Sequence, residues 1–349
     1  FKQRLMELIG NATLFVEIKT FHSYGFDLLG KIGNLEEAKN VVAQAAEMIN
    51  QGEVEPNKLG KTVLVIDEAQ DMGADDFALV EALMKHNEDM RVIAVGDDDQ
   101  NIYAFRGSSS EYMYRLSKMP GSRFIEMTEN YRSSRHVVRA ANDFVRIISQ
   151  RMKSTPILSM SHEEGWVEVT RHASLYLHQP VADNVIRHST QGTACVLTRT
   201  NEEAVTVTAL LQKMGINSTL IQSMDKGIRF CNLAETKYFI KQISSQWHSP
   251  VITEETWEAA KRATFEKYKS SQSLPYVKRC VELFEQTNRT KYYTDFKEYV
   301  FESDMEDFCD TTGANVVVST IHKSKGREFD DVYMFINDKN EKSDDLFRQ

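Results

Sequence analysis

Two short apolar runs organise the chain. "VLVI" at 63–66 and "VIAV" at 92–95 are β-branched, uncharged and bounded by charged residues or glycine. That pattern predicts fully buried strands. Between them "DDFALVEALMKHNEDM" (75–90) carries apolar residues at helical spacing. Strand, helix, strand at this spacing predicts a parallel α/β sheet. Upstream, residues 1–13 read as a helix ending at Gly10, "TLFVEIKTF" (13–21) as a strand, and "LEEAKNVVAQAAEMIN" (35–50) as a helix closed by Gly52. Downstream, "PGSR" (120–123) is a turn and 134–150 a helix. "WVEVTRH" (166–172) and "ACVLTRT" (194–200) read as strands, and "EEAVTVTALLQKMG" (202–215) as a helix. Residues 250–310 hold few β-branched runs and carry many Glu, Lys, Tyr and Phe at helical spacing, which predicts a helical insertion. "NVVVST" (315–320) and "DVYMFIN" (331–337) return to buried strands, and the polar tail from Asp338 is expected to fray.

Both early strands end in acids. In parallel sheets ligands gather at the carboxyl ends of strands, and Asp67 and Glu68 fall there. An Asp so placed can hold magnesium on a nucleotide, and a Glu beside it can polarise a water. The alternative is a solvated acidic turn. The second strand ends in Gly96, Asp97, Asp98 and Asp99 and adds Gln100, which could reach a γ-phosphate from a neighbouring strand end. Tyr103, Phe105 and Arg106 follow; exposed rings beside an Arg suit base stacking and phosphate contact, whereas buried rings would be core.

Bulk properties narrow the field. A chain of 349 residues is long enough for two or three domains, and 41% hydrophobic with 27% charged residues is ordinary for a globular protein. The net charge of −9 argues against a broad basic nucleic-acid surface but leaves room for a narrow basic groove. Cys195, Cys231, Cys280 and Cys309 are widely spaced, so we read them as free thiols in a reducing, cytoplasmic compartment. No apolar run approaches the roughly 20 residues of a membrane helix. A phosphate loop, G-x-x-x-x-G-K-S/T between strand and helix, is missing. "GFDLLGKI" (25–32) ends in Ile rather than a hydroxyl and reads as helix; "EPNKLGKT" (55–62) lacks the first Gly and precedes a strand.

Taken together the motifs resemble the motor core of UvrD/Rep-type superfamily 1 DNA helicases. "VLVIDEAQD" resembles the Walker B motif, "GDDDQNIYAFRGS" the third motif and "TENYRSS" (128–134) the fourth. "TFHSYGFDLL" (20–29) resembles the early DNA-contacting motif, "VLTRTNEEA" (196–204) the start of the second motor domain, and "VVVSTIHKSKGREFDDVYMF" (316–335) the fifth motif. The matches run in family order over nearly the whole chain. The resemblance implies an α/β fold of two RecA-like parallel-sheet motor domains, the first incomplete, with a small helical insertion in the second. The implied divisions are 1–118, 119–248, 249–312 (the insertion) and 313–349. It also implies that the phosphate loop and the sixth motif would lie outside these residues, so the chain is expected to be trimmed at both ends and inactive alone.

By position in those motifs, Asp67 would hold Mg2+ and Glu68 would be the general base. Gln100 would sense the γ-phosphate of ATP, and Arg132 would reach it across the cleft between motor domains. Gly326 and Glu328 would lie at the nucleotide, Glu328 accepting from the ribose, and Arg229 near the adenine with Glu235. Thr20, His22, Tyr103, Phe105, Arg106, Thr320, His322, Lys323 and Lys325 would line the DNA path. The partners implied are single-stranded DNA or single/double-strand junctions, no membrane, and association with the nucleoid in a bacterium. The implied activity is ATP-dependent 3′-to-5′ translocation or unwinding. About 40 residues separate "TFHS" (20–23) from Walker B, too few for a large inserted domain there. Two other readings remain: a non-hydrolysing module that binds nucleic acid or a partner, and a metal-dependent nuclease built on Asp67, Glu68, Asp97 and Asp99.

Overall fold

A computed structural model describes residues 8, 15–29, 40–102, 107–148, 151–173, 176–188, 192–221, 229–244, 251–271, 273–288, 290–308 and 315–335. The chain forms two compact units, Lys19–His172 and, with Phe1–Ile18, Ala173–Asn337.

In the first unit, helices α1 (Phe21–Leu29) and α2 (Val41–Gln51) lead through a one-turn helix α3 (Pro56–Leu59) to strand β1 (Val63–Ile66). Helix α4 (Ala74–His86) connects β1 to β2 (Arg91–Ala94), which pairs with it in parallel, Val63 against Arg91 and Ile66 against Ala94. Asp75 and Asp76 in the first turn of α4 and Lys85 and His86 in the last complement its dipole. Asp76 also accepts a 2.8 Å hydrogen bond from the Gly73 amide. Burial of α4 on two sides explains its many apolar positions. Phe77 and Val80 pack with Ile66, Met72, Met113 and Leu116, and Leu79, Ala82 and Leu83 pack with α1 and α2. Gly25 lets α2 approach, since a Cβ there would lie 3.2 Å from the Val41 carbonyl. Helix α5 (Ser110–Ser117), strand β3 (Glu129–Asn130), helix α6 (Arg135–Val145) and strand β4 (Leu158–Ser159) follow, β3 pairing with β4 in parallel.

The second unit holds a four-stranded parallel sheet in the order β10–β5–β9–β6, from β5 (Ala194–Thr198), β6 (Ser218–Leu220), β9 (Val316–Thr320) and β10 (Asp331–Met334). Helices α7 (His178–Arg187) and α8 (Asn201–Lys213) cover one face through Val185, Val207 and Leu211. A capping box of Thr200 and Glu203 starts α8. Between β6 and β9 the chain forms helices α9 (Ala234–Ser244), α10 (Glu254–Lys267), α11 (Leu274–Thr287) and α12 (Tyr293–Glu302), with a short antiparallel pair β7 (Val251–Ile252) and β8 (Lys291–Tyr292). Their core is aromatic: Trp257, Phe239, Phe284 and Phe296 meet with ring centroids 5.0–5.7 Å apart. A one-turn helix α13 (Ile321–Ser324) joins β9 to β10. Cys195, Cys231 and Cys280 are buried free thiols, and burial pushes Cys195 up to about 12, as inert thiols require. Among the described residues no helix is long and apolar enough to cross a membrane.

Three sequence expectations change. Residues 16–20 and 166–172 form no strand. The second stretch alternates correctly, but among the described residues no strand pairs with it, and Trp166, Val167 and Val169 are exposed. Strands β1 and β2 are not buried on both faces. Val63, Val65, Ile93 and Val95 are exposed, and the described helices of this unit pack on the opposite face. Residues 1–7, 9–14 and 338–349, read as a helix and a tail, lie outside the described residues.

Candidate active site

The parallel register carries β1 and β2 to the same edge and then beyond it. Val95 N donates to Ile66 O at 2.8 Å and Ala69 N to Val95 O at 2.9 Å. This locks the Asp67–Asp71 turn against the Gly96–Gln100 turn, and the acids of both strand ends share one edge. Asp67 and Glu68 are exposed there. Asp67 Oδ1 accepts from the Glu68 amide at 3.1 Å. Glu68 has φ 51°, and among the described residues it is the one non-glycine with a positive φ. A left-handed Glu is a strained conformation held by its surroundings. Its side chain is tied by Gln70, fully buried, whose Nε2 donates to Glu68 Oε2 at 2.5 Å. The same amide accepts from Asp97 N at 2.9 Å.

Gln100 is exposed and its Nε2 donates to Asp97 Oδ2 at 2.9 Å. Asn101 anchors the end of that turn, donating to Gln70 O at 2.8 Å and accepting from the Ser108 hydroxyl at 3.1 Å. The carboxylates of Asp97, Asp98 and Asp99 cluster closely enough to suggest a metal site. Cationic side chains already serve them. Arg151 holds Asp99 bidentately at 2.8 and 2.7 Å, and Lys153 bridges Asp97 and Asp99, 3.0 Å from the latter. Burial works against ionisation of Asp99, but the hydrogen bonds and charges of Arg151 and Lys153 outweigh it and hold its carboxyl below the usual range. This weakens the nuclease reading, because side chains already compensate the charges of Asp97 and Asp99. Asp67, an exposed hard-oxygen donor beside Glu68, is the position that suits magnesium.

The remaining candidates are distributed as follows. Tyr103, Phe105 and Arg106 lie outside the described residues. Thr20 caps α1, its hydroxyl accepting from Ser23 N at 3.1 Å, and His22 is exposed on that helix. Arg132 is exposed in the turn after β3, where its amide donates to Asn130 Oδ1 at 3.1 Å. In the second unit Thr320 closes β9, and His322 and Lys323 lie on α13, Lys323 Nζ donating to Asn201 Oδ1 at 2.8 Å. Lys325 and Gly326 follow, Gly326 with φ 80°, and Glu328 is exposed. Arg229 is exposed, its guanidinium 5.2 Å from the Phe301 ring, and Glu235 is buried and accepts from the Ser271 hydroxyl. Sequence reasoning missed Gln70, Arg151 and Lys153 as parts of the site. The only signal was a Gln two residues after Glu68; nothing local marks the other two.

Residues 57–120 match the model of the UvrD/REP helicase N-terminal domain, and residues 125–245 that of the UvrD-like helicase C-terminal domain. The chain belongs to the UvrD/Rep-type helicase family. It is 39% identical over 83 residues to ATP-dependent DNA helicase Rep of Buchnera aphidicola (Acyrthosiphon pisum strain), covering 24% of this chain and 13% of that protein. To Rep of Escherichia coli K12 it is 39% identical over 80 residues, 23% of this chain and 12% of that one. To ATP-dependent DNA helicase PcrA of Bacillus subtilis it is 28% identical over 181 residues, 49% of this chain and 23% of that one. The chain thus spans from 12% to 23% of the length of these relatives.

Proposed function

We propose that this chain is part of the motor of an ATP-driven single-stranded DNA translocase or helicase, moving 3′ to 5′. The observation that carries the reading is the shared edge of β1 and β2, where one buried amide joins Glu68 to the turn bearing Gln100. Glu68 is the general base that takes the proton of the attacking water. Gln100, at the end of the neighbouring strand, senses the γ-phosphate. Asp67 holds magnesium, whose charge when bound offsets that of the phosphate oxygens. Arg132, Gly326 and Glu328 complete the nucleotide site, Arg132 at the γ-phosphate and Glu328 at the ribose. The DNA path runs over Thr20, His22, Tyr103, Phe105, Arg106, Thr320, His322, Lys323 and Lys325, with the rings stacking on bases. The proposed domain scheme is the four divisions given above, in which Arg132 belongs by sequence to the second motor domain although residues 119–172 pack with the Lys19–His172 unit.

One sequence observation favours a second reading for the chain by itself. Its 349 residues contain no G-x-x-x-x-G-K-S/T run, and the nearest likeness, residues 25–32, has its first five residues within α1, where backbone amides serve the helix. Alone, this chain is expected to bind nucleic acid or a partner without turning over ATP. The test is DNA-stimulated ATPase of the protein in its natural length beside its Glu68→Gln variant. Turnover falling by about 100-fold or more in the variant is the expected result for loss of a general base. Equal turnover in both would end the reading.

A further inference from the structure

The amide of Gln70 is the hinge pin between the two acidic turns. Its side chain is completely buried. Nε2 reaches Glu68 Oε2 at 2.5 Å, Oε1 takes the Asp97 amide at 2.9 Å, and the backbone carbonyl takes Asn101 Nδ2 at 2.8 Å. The side-chain orientation is forced. Flipped, the oxygen would face a carboxylate and the nitrogen would face an N–H, two repulsions in place of two bonds. Gly96 supports the same arrangement, because a Cβ there would lie 2.5 Å from Gln70 Oε1, 2.9 Å from Met113 Sδ and 3.0 Å from Ala69 N. So the glycine ending β2 is required by the close approach of a side chain from the end of β1.

We infer that Gln70 is a positioning residue for hydrolysis, holding the Glu68 carboxylate in place and fixing it relative to the turn that carries Gln100. It acts through Glu68 and touches no substrate. The arrangement gives the base and the γ-phosphate sensor one common anchor, so displacement of either turn is felt at both. The inference rests on the proposed ATPase reading.

Two substitutions separate positioning from simple structural support. Gln70→Glu keeps the volume and the acceptor for Asp97 N but removes the donor to Glu68. Gln70→Leu removes both bonds. In DNA-stimulated ATPase of the natural-length protein, both are expected to lower kcat by about 10- to 100-fold, the cost of a misplaced reacting group. KM for ATP should stay within about twofold. Gly96→Ala, which pushes the amide rather than removing it, should move kcat in the same direction. Wild-type kcat in a folded Gln70→Glu variant, with loss only in Gln70→Leu, would show that Gln70 merely supports the loop and overturn the inference. A wild-type protein with no ATPase would overturn the functional reading, and the inference with it.

Discussion

Asp97, Asp98 and Asp99 are consecutive, yet each has different neighbours. Asp99 is gripped by Arg151, Asp97 by Lys153 and Gln100. Asp98 is 5% exposed and has no cation bonded to it: Oδ2 accepts from Met152 N at 2.6 Å, and among the described residues Oδ1 is buried with no partner. Burial first, then the charges of Asp99 and Asp97, push its carboxyl above the usual range, against the pull of Met152 N and Lys153. A group whose folded pKa is raised contributes stability below its unfolded pKa and loses it as pH rises through the folded one. Asp98→Asn keeps an acceptor for Met152 N and never ionises. It is therefore expected to be more stable than wild type at pH 7 and to lose that advantage as pH falls below about 4. Urea unfolding at both pH values checks this; an Asn variant less stable at pH 7 would contradict it. The residue types at these strand ends are legible in the sequence because acids after an apolar run are a local signal. Their partners are not, since the bonds of Gln70, Arg151 and Lys153 to this turn span 27, 52 and 56 positions.

At the scale of elements, the segment at 151–153 acts as a strap. It follows α6 and returns to the end of β2, so residues 119–172 pack with the first unit. Arg151 and Asp99 side chains are only 18% and 10% exposed, so removing Arg151 leaves the buried Asp99 carboxylate with Lys153 as its remaining cation, 3.0 Å away. Arg151→Met is expected to cost about 3 kcal/mol. The ion pair of Arg135 and Glu164 is the contrast, at 51% and 61% exposed; Arg135→Met should cost under about 1 kcal/mol. Because the folded pKa of Asp99 is depressed, its contribution is present above the unfolded carboxylate pKa and is lost as pH falls through the folded one. The gap between wild type and Arg151→Met should thus narrow on acidification, and chemical denaturation from pH 7 to pH 3 measures it. A constant gap would mean that Arg151 acts through packing alone. The strands and helices themselves were readable where periodicity and length agree, as in β1, α4, β2, β5, α8 and β9. At 166–172 alternation alone misled, because a strand needs a neighbour and the pattern carries no information about one.

For the whole molecule, the consequence with most reach lies in the faces of the two sheets. The β10–β5–β9–β6 sheet buries β5 and β9 almost entirely, under α7 and α8 on one side and beside Ile221 and Phe329 on the other. Among the described residues the β1–β2 pair has helices on one side only, and Val63, Val65, Ile93 and Val95 stand 48%, 61%, 51% and 43% exposed on the other. Parallel strands ordinarily have both faces covered, and a contiguous apolar patch on a soluble chain promotes association. The "VLVI" and "VIAV" runs are written for two-sided burial, which is why the sequence predicts more burial than this chain achieves. The chain in isolation is expected to bind a hydrophobic dye and to self-associate as its concentration rises. Val65→Thr with Ile93→Thr keeps β-branched residues in both strands and replaces a methyl of Val65 and the ethyl group of Ile93 by hydroxyls. The pair should lower dye binding and shift sedimentation toward monomer, while stability changes by no more than about 1 kcal/mol, the range for two exposed sites. If the double variant instead unfolds the Lys19–His172 unit, that face is packed in solution and the open sheet is wrong. If dye binding and sedimentation are unchanged, association arises elsewhere on the surface, and the exposed valines and isoleucine are bystanders.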